Sequence, residues 1–436
     1  MAEVIVIGGG LAGLSAAAAL GDAGHRVRVL EARRFLGGRA TSYEIGGETI
    51  DNCQHILLRC CVNLLDFYRR IGVEKEIAFF REFFLIEPGG RRNVLRAGML
   101  PAPVHFTESF LSLRMLNLTE KMAIMRAIRV IRSQHSRRRD LDQITMQQWL
   151  DEQRQPPRAI KRFWYPVLVS AISEELDRMA ASHAFQVFRL GFFARRNSYE
   201  MGVPAVPLAR FYGVDAWEKL GNVQIETNAT VQQIAIEKGS VRAVTTAAGE
   251  LHADHYVCAL PFDRVPSVAP GLGLDVTEFE YSPITGIHLW FDRPVINLPQ
   301  AALLDRTIQW VFNKGEGKCV QLVVSASRSL IDMPRQDVIA LALRELAEFF
   351  PEVLNAKLEK AHVVKEIRAV FSAKPRLEAV RPVSRTKVRN LFLAGDWTRC
   401  GWPATMEGAV RSGYLAAEAV AEAAGSPRKF VLPDIA

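Results

Sequence analysis

Apolar residues along this chain fall into runs that switch period several times. Val4–Ile7 is an unbroken apolar run, the pattern of a parallel strand buried on both faces. Leu11 to Ala23 is rich in alanine and predicts a closely packed helix, with Gly24 as its stop. Arg26–Ala32 predicts a second strand. Asn63–Ile71 predicts a helix ended by Gly72. Phe79, Phe80, Phe83, Phe84 and Leu85 crowd ahead of the turn Glu87-Pro-Gly-Gly90, and Arg91–Leu95 predicts the returning hairpin strand. Leu111–Ser136 reads as mainly helical, a further helix starts within Thr145–Glu152, and Phe163–Ile172 is strongly apolar and aromatic. β-Branched runs at Asn222–Ile236, Val241–Thr246 and His255–Leu260 predict strand, turn, strand, and then a strand ending at Pro261. Alternation at Ile284–Phe291, Trp310–Phe312 and Val320–Val324 predicts an antiparallel sheet, followed by a helix over Asp337–Phe350. Asn390–Ala394 predicts a short last strand, and a helix opening at Thr405 or Met406 runs to about Ala423.

The first strand and helix are joined by Gly8, Gly10 and Gly13 in a G-x-G-x-x-G spacing. The first glycine makes the tight turn, the second admits a pyrophosphate, and the third lets helix pack on strand. The helix N-terminus offers unpaired N–H groups and partial positive charge to the phosphates. Glu31, eighteen residues after Gly13, stands where a carboxylate grips ribose hydroxyls. Strand, helix, strand and acid together point to a dinucleotide. Gly37-Gly38-Arg39 then offers backbone approach and a forked donor to pyrophosphate, or else a surface turn with a solvated arginine. At the far end, Gly395-Asp396 closes a strand whose carboxyl end is where ligands sit in open α/β sheets. Asp396 can reach a ribityl or ribose chain; alone, it reads equally as a helix N-cap. The helix opening at Thr405 or Met406 can face the N1–C2=O edge of a flavin with its first N–H groups. A ring held as well as a pyrophosphate argues for FAD over NAD.

Composition narrows the class. The chain has 436 residues, 49% apolar and 23% charged, as in ordinary globular proteins large enough for two domains. It contains no apolar run long enough to span a membrane, and residues 1–20 are spent on the nucleotide fold rather than on a signal peptide. The six cysteines show neither C-x-x-C nor metal spacing, so reduced cytosolic thiols and no metal site are expected. The net charge is +8. Arg126, Arg129, Arg132, Arg137, Arg138 and Arg139 cluster without an acid among them. No nucleic-acid motif accompanies them. An anionic membrane surface and a plainly solvated face are the two readings of this cluster. Met122, Met125 and Ile128 fall on one stripe, but Arg129 and Arg132 interrupt it. The expectation is a cytoplasmic protein, peripheral on the inner face of the membrane.

These residues carry a resemblance. Gly8/Gly10/Gly13, Glu31, Gly37-Gly38-Arg39 and Ala394-Gly-Asp-Trp with Met406-Glu-Gly-Ala-Val-Arg-Ser-Gly413 resemble the flavin amine oxidase and phytoene desaturase superfamily. Within it, Asp51-Asn-Cys-Gln-His55, Leu100-Pro-Ala-Pro103, Gln309-Trp-Val-Phe-Asn313 and Gly401-Trp-Pro-Ala-Thr405 resemble the hydroxysqualene dehydroxylases, or squalene-associated FAD-dependent desaturases. Cys53 departs from the glycine of that subfamily. The resemblance implies an α/β fold with a Rossmann-like FAD-binding domain and a second, α+β substrate domain. It implies FAD-domain stretches at 1–75, 220–271 and 385–436. A mainly helical substrate stretch falls at 76–219 and its sheet at 272–384.

The implied activity is reductive removal of the hydroxyl of hydroxysqualene to give squalene, a hopanoid and triterpene precursor. Hydride reaches an allylic carbon while a general acid protonates the departing oxygen. His55, in a segment the resemblance sets beside the flavin, is the first candidate acid; Lys314 is the second, and Gln54 would orient the hydroxyl. The alternatives are a cofactor-orienting His55 and a surface Lys314. Trp310 and Trp402 would wall the flavin or a tunnel for a long-chain isoprenoid, with Phe163, Trp164, Phe192 and Phe193 as further lining; core packing is the alternative for each. Tyr281 is a further donor, and His183, His252 and His362 form no cluster in sequence. Two rival functions stand beside this one: a carotenoid or phytoene-type FAD-dependent desaturase, and an isoprenoid-binding chaperone without FAD. An amine oxidase would need paired tyrosines near Met406. With no second G-x-G-x-x-G, the electron donor is unassigned.

Overall fold

The computed structural model describes residues 1–213, 216–217 and 219–435. Three distant stretches build one five-stranded parallel sheet, ordered Val223–Glu226, Arg26–Leu30, Glu3–Ile7, His255–Cys258, Leu391–Leu393. Val4 lies between Val27 and His255, so the first strand is central and both its faces are covered. The opening helix, Leu11–Asp22, is buried along nearly its whole length. The closing helix, Met406–Ala423, packs across it. Small residues permit this: a Cβ on Gly413 would fall 2.2 Å from the Ala12 carbonyl oxygen.

The predicted run Asn222–Ile236 divides. Val223–Glu226 enters the parallel sheet, while Val231–Glu237 joins Ser240–Thr246 and Gly249–Leu251 in a small antiparallel sheet. Asn228, with φ of +56°, makes the turn between them, a conformation asparagine tolerates better than most residues.

A second, seven-stranded sheet runs Leu358–Phe371, Tyr281–Phe291, Cys319–Ser325, Trp310–Gly315, Gln300–Leu303, Phe83–Ile86, Arg92–Leu95. The hairpin from the 76–219 stretch thus extends the sheet of the 272–384 stretch. One sheet face packs on the helix Arg335–Phe349; the other turns toward the parallel sheet. The single helix expected over Leu111–Ser136 is two, Thr107–Ser112 and Leu118–Gln134. Asn93 Oδ1 accepts from the N–H groups of Arg114 and Met115 at the break, and Asn117 with Glu120 forms a reciprocal cap on the second helix. Two wide, π-helical segments, Ile160–Trp164 and Val187–Phe193, interrupt the helical region. No helix among the described residues is long and apolar enough to cross a membrane.

Candidate active site

Two glycine turns lock together at the carboxyl end of the parallel sheet. Gly8 has φ of +109°, and a Cβ on Gly13 would lie 1.9 Å from its carbonyl oxygen, so helix and strand touch through backbone alone. Around Gly10 the added Cβ would meet nothing nearer than Gly38 Cα at 3.8 Å, which leaves space over the turn. The second turn closes on the first: Gly37 N–H donates to Gly9 O at 2.9 Å, and a Cβ on Gly38 would stand 2.9 Å from Gly10 Cα. Glu31, buried at the end of its strand, accepts from Gly9 N–H at 2.7 Å and from Arg33 N–H at 2.8 Å. No side chain caps the opening helix, so its first N–H groups stay open toward the turn.

The C-terminal motif meets this cradle. Arg39 Nη2 donates to Asp396 Oδ1 at 2.5 Å. Gly395 N–H donates to Ser412 Oγ at 2.8 Å, and Thr405 Oγ1 accepts from Gly408 N–H at 3.0 Å as the cap of the closing helix. Arg381, fully buried, donates to the carbonyls of Asp396 and Trp402 at 2.8 and 2.9 Å and so fixes the loop between last strand and closing helix. Nothing in the local sequence marks Arg381; it follows Leu377–Val380 without a motif. Glu407 lies inside the closing-helix motif, which gives it no role of its own. Its carboxylate accepts from Asn63 Nδ2 at 2.8 Å and Leu64 N–H at 2.7 Å, tying the closing helix to the helix Val62–Arg70. Desolvation pushes its pKa up to about 7.

These residues fit FAD. The space at Gly10, the open helix N-terminus and Glu31 suit the adenosine half and its phosphates; Arg39, Asp396 and the first turn at Thr405 and Met406 suit the remainder. Bound there, FAD supplies hydride transfer at N5.

An apolar cavity begins at Thr405 and Met406 and is walled by Leu58, Phe83, Leu190, Phe192, Trp310 and Trp402 among others. Both tryptophans satisfy their indole N–H within the protein: Trp310 on Ser170 Oγ at 2.6 Å, Trp402 on Asp434 Oδ1 at 3.1 Å. The wide segment Val187–Phe193 carries Leu190 and Phe192 into the lining. Phe163, Trp164 and Phe193 are not part of it. Trp164 is fully buried among helices with its N–H on Gln155 Oε1 at 2.9 Å, and Phe163 packs edge-on against it and against Phe110. They are core residues, because the π-helical turn at Ile160–Trp164 points them inward between helices.

The segment Asp51–His55 presses on the inner face of the large sheet, where a Cβ on Gly286 would stand 2.9 Å from Asn52 O. Asp51 Oδ1 accepts from Ser42 Oγ and Leu208 N–H. Lys314 Nζ donates to Gln54 Oε1 at 3.2 Å and lies 3.9 Å from Asp51 Oδ2, so Lys314 and Gln54 come together. His55 does not join them through its ring; its Nε2 pairs with Asn52 Oδ1 at 2.8 Å. Burial, the largest influence, holds the His55 imidazole below its ordinary range, which weakens its case as a proton donor at neutral pH. Tyr281 donates to Asp263 at 2.6 Å. His288, missed in the sequence, is buried beside Lys314 and Asp51, with its pKa lowered to about 4 chiefly by desolvation.

The chain matches the family model for flavin containing amine oxidoreductase over residues 11–421. It is 27% identical over 464 aligned residues to a 15-cis-phytoene desaturase of an Oncidium hybrid cultivar, covering 96% of this chain and 78% of that protein. To the 15-cis-phytoene desaturase of Synechococcus elongatus it is 26% identical over 455, covering 96% and 95%. To a probable zeta-carotene desaturase of that organism it is 24% identical over 477, covering 97% and 99%. Among solved structures, an oxidoreductase from Methanosarcina mazei superposes with a TM-score of 0.73 at 19% identity, covering 94% and 98% of the two chains. A putrescine oxidase superposes with 0.71 at 17%, covering 97% and 98%. With the glycine cradle, the C-terminal motif and the family match in agreement, the chain belongs to the flavin-containing amine oxidoreductases and is an FAD-dependent oxidoreductase.

Proposed function

We propose that the protein transfers hydride between FAD and a long polyisoprenoid, and that it does so as a desaturase. The observation that carries this reading is the apolar cavity that starts at Thr405 and Met406, where the closing helix meets the flavin site. Such a lining, apolar over most of its surface, suits a hydrocarbon. The near full-length likeness to phytoene and zeta-carotene desaturases supports the same substrate class. Removal of hydrogen from the chain needs no group that holds a leaving oxygen.

One observation favours a second reading, reductive dehydroxylation of hydroxysqualene. Gln54, buried against the sheet, pairs with Lys314 at the edge of solvent, and a hydrocarbon alone gives them no task. An allylic alcohol would use a donor there as its oxygen leaves. The deciding experiment mixes oxidised enzyme with phytoene, and anaerobically reduced enzyme with a thirty-carbon allylic alcohol. Flavin bleaching with a new double bond supports desaturation; flavin reoxidation with squalene formed supports dehydroxylation. Inertness toward both removes the polyisoprenoid reading. A chaperone role predicts a colourless protein that does not take up FAD.

The partner surface belongs to the same reading. Met99, Leu100, Val104, Leu111, Leu118, Met122 and Met125 are exposed around the start of the helix Leu118–Gln134, and Arg126, Arg129 and Arg132 are exposed further along it. The loop bearing Met99 and Val104 leads to Phe106, which packs on the cavity residue Phe192 at 5.7 Å. Exposed apolar residues followed by cations along one helix suit an anionic bilayer. Arg138 does not contribute, since it is paired with Asp140 and Glu152. Met99→Asp with Met122→Asp is expected to abolish sedimentation with phosphatidylglycerol vesicles; unchanged sedimentation removes this surface.

A further inference from the structure

A row of polar side chains crosses the inner face of the large sheet, and several of its polar atoms lack partners. In register, His288 stands between Gln321 on one neighbouring strand and His362 on the other. Gln321 Nε2 approaches His288 Nε2 to 3.4 Å. Above them lies Gln54, joined to Lys314 and through it to Asp51. Gln321 and His288 are 0% and 3% exposed, and Gln54 is 9% exposed. Yet Gln321 Oε1, Gln54 Nε2 and His362 Nε2 meet no hydrogen-bond partner in the protein. Buried polar atoms are nearly always paired, with protein or with ordered water, and each one left open costs about 1–3 kcal/mol. Open atoms spaced along the row call for such waters, each of which pairs with two to four polar groups. Lys314, about a quarter exposed, is the end of the row that reaches solvent.

We propose that this row, Lys314, Gln54, His288, Gln321 and His362, holds a chain of waters that carries protons between solvent and the redox site. The proposal rests on the hydride-transfer reading above, in either of its forms. In desaturation a hydride leaves one carbon for FAD, a proton leaves its neighbour, and the electron pair of that C–H bond becomes the new C=C bond. In dehydroxylation a hydride reaches carbon as the C–O bond breaks, and the oxygen departs as water after taking a proton. Either way one proton must pass between the redox site and solvent. The groups facing His288 are Lys314, Asp51, Gln321 and His362. Burial and the Lys314 charge keep its imidazole neutral, with one nitrogen that donates and one that accepts a hydrogen bond within the row.

Two measurements test this. A crystal structure of the FAD-loaded protein, at a resolution that places waters, is expected to show water bridging Gln54 Nε2 and Gln321 Oε1. A dry row, or Gln54 hydrogen-bonded to FAD instead, overturns the proposal whatever the substrate. In stopped flow with a pH-indicator dye, His288→Leu and Gln321→Leu are expected to keep the FAD-to-protein ratio. They should slow proton transfer at least about tenfold and enlarge the D2O effect, with His288→Gln restoring part of the rate. Loaded Leu variants with unchanged proton transfer and an unchanged D2O effect overturn it. Failure of the hydride-transfer reading would silence only the second measurement.

Discussion

The cofactor cradle and the apolar cavity share the residues Thr405 and Met406, yet they are built on opposite principles. The cradle consists of backbone, and its key positions are defined by side chains that are missing: Gly8, Gly13, Gly38 and Gly413 each exclude a Cβ by contact with another main-chain atom. The cavity consists of side chains drawn from five or more separate elements, any one of which can change size without breaking the main chain. A site made of main chain tolerates almost no substitution, whereas a site made of side chains can drift between substrates on one scaffold. The cradle therefore identifies a cofactor, and the cavity decides what that cofactor acts on.

The sharpest break of this contrast is Gly13→Val. The new Cβ would collide with Gly8 O, and FAD is expected to be lost entirely, seen as a colourless protein after purification; a yellow, loaded variant would mean that the cradle can shift. Arg39→Met removes a charged donor facing Asp396, worth about 1.5–3 kcal/mol, so the FAD dissociation constant should rise by about 10- to 150-fold in titration calorimetry.

Glu407 lies where the two regions join. Its folded pKa, about 7, is raised above its unfolded value, so the folded state binds the extra proton. The stabilisation is complete below the unfolded pKa and declines as pH rises through 7, by on the order of 3 kcal/mol. Relative to Glu407→Gln, the wild-type melting temperature should therefore fall between pH 5 and pH 8; parallel curves would refute the assignment. On the cavity side, Trp310→Ala should raise KM about tenfold with flavin content unchanged. Trp164→Phe loses one buried hydrogen bond and should cost about 1 kcal/mol of stability with KM unaltered. Equal effects of the two tryptophans on KM would erase the distinction between wall and core.

The same contrast explains what the amino-acid sequence reveals. Gly8, Gly10, Gly13 and Glu31 are legible because a turn requirement acts over a few neighbouring residues. Trp164 and Trp310 are chemically identical, and only the packing of distant elements puts one in the core and the other on the cavity. Likewise His288 and Gln321 occupy alternate positions of strands, where polar residues normally face water. They are buried because Asp51–His55, more than two hundred residues earlier, lies across that face of the sheet. Arg381 is silent for a related reason: its acceptors are carbonyls, which every residue has. The break near Arg114 was hidden because Asn93, its cause, lies on another element.

The placement of Leu391–Leu393 at the edge of a sheet begun by Glu3–Ile7, with Met406–Ala423 laid over Leu11–Asp22, sets an order of events during biosynthesis. A nascent polypeptide still held by the ribosome at residue 390 has its adenosine cradle but neither Asp396 nor the helix that closes over the ring. Maturation into a coloured holoprotein must therefore wait until Met406–Ala423 has been made, and fragments cut short of that point should emerge colourless.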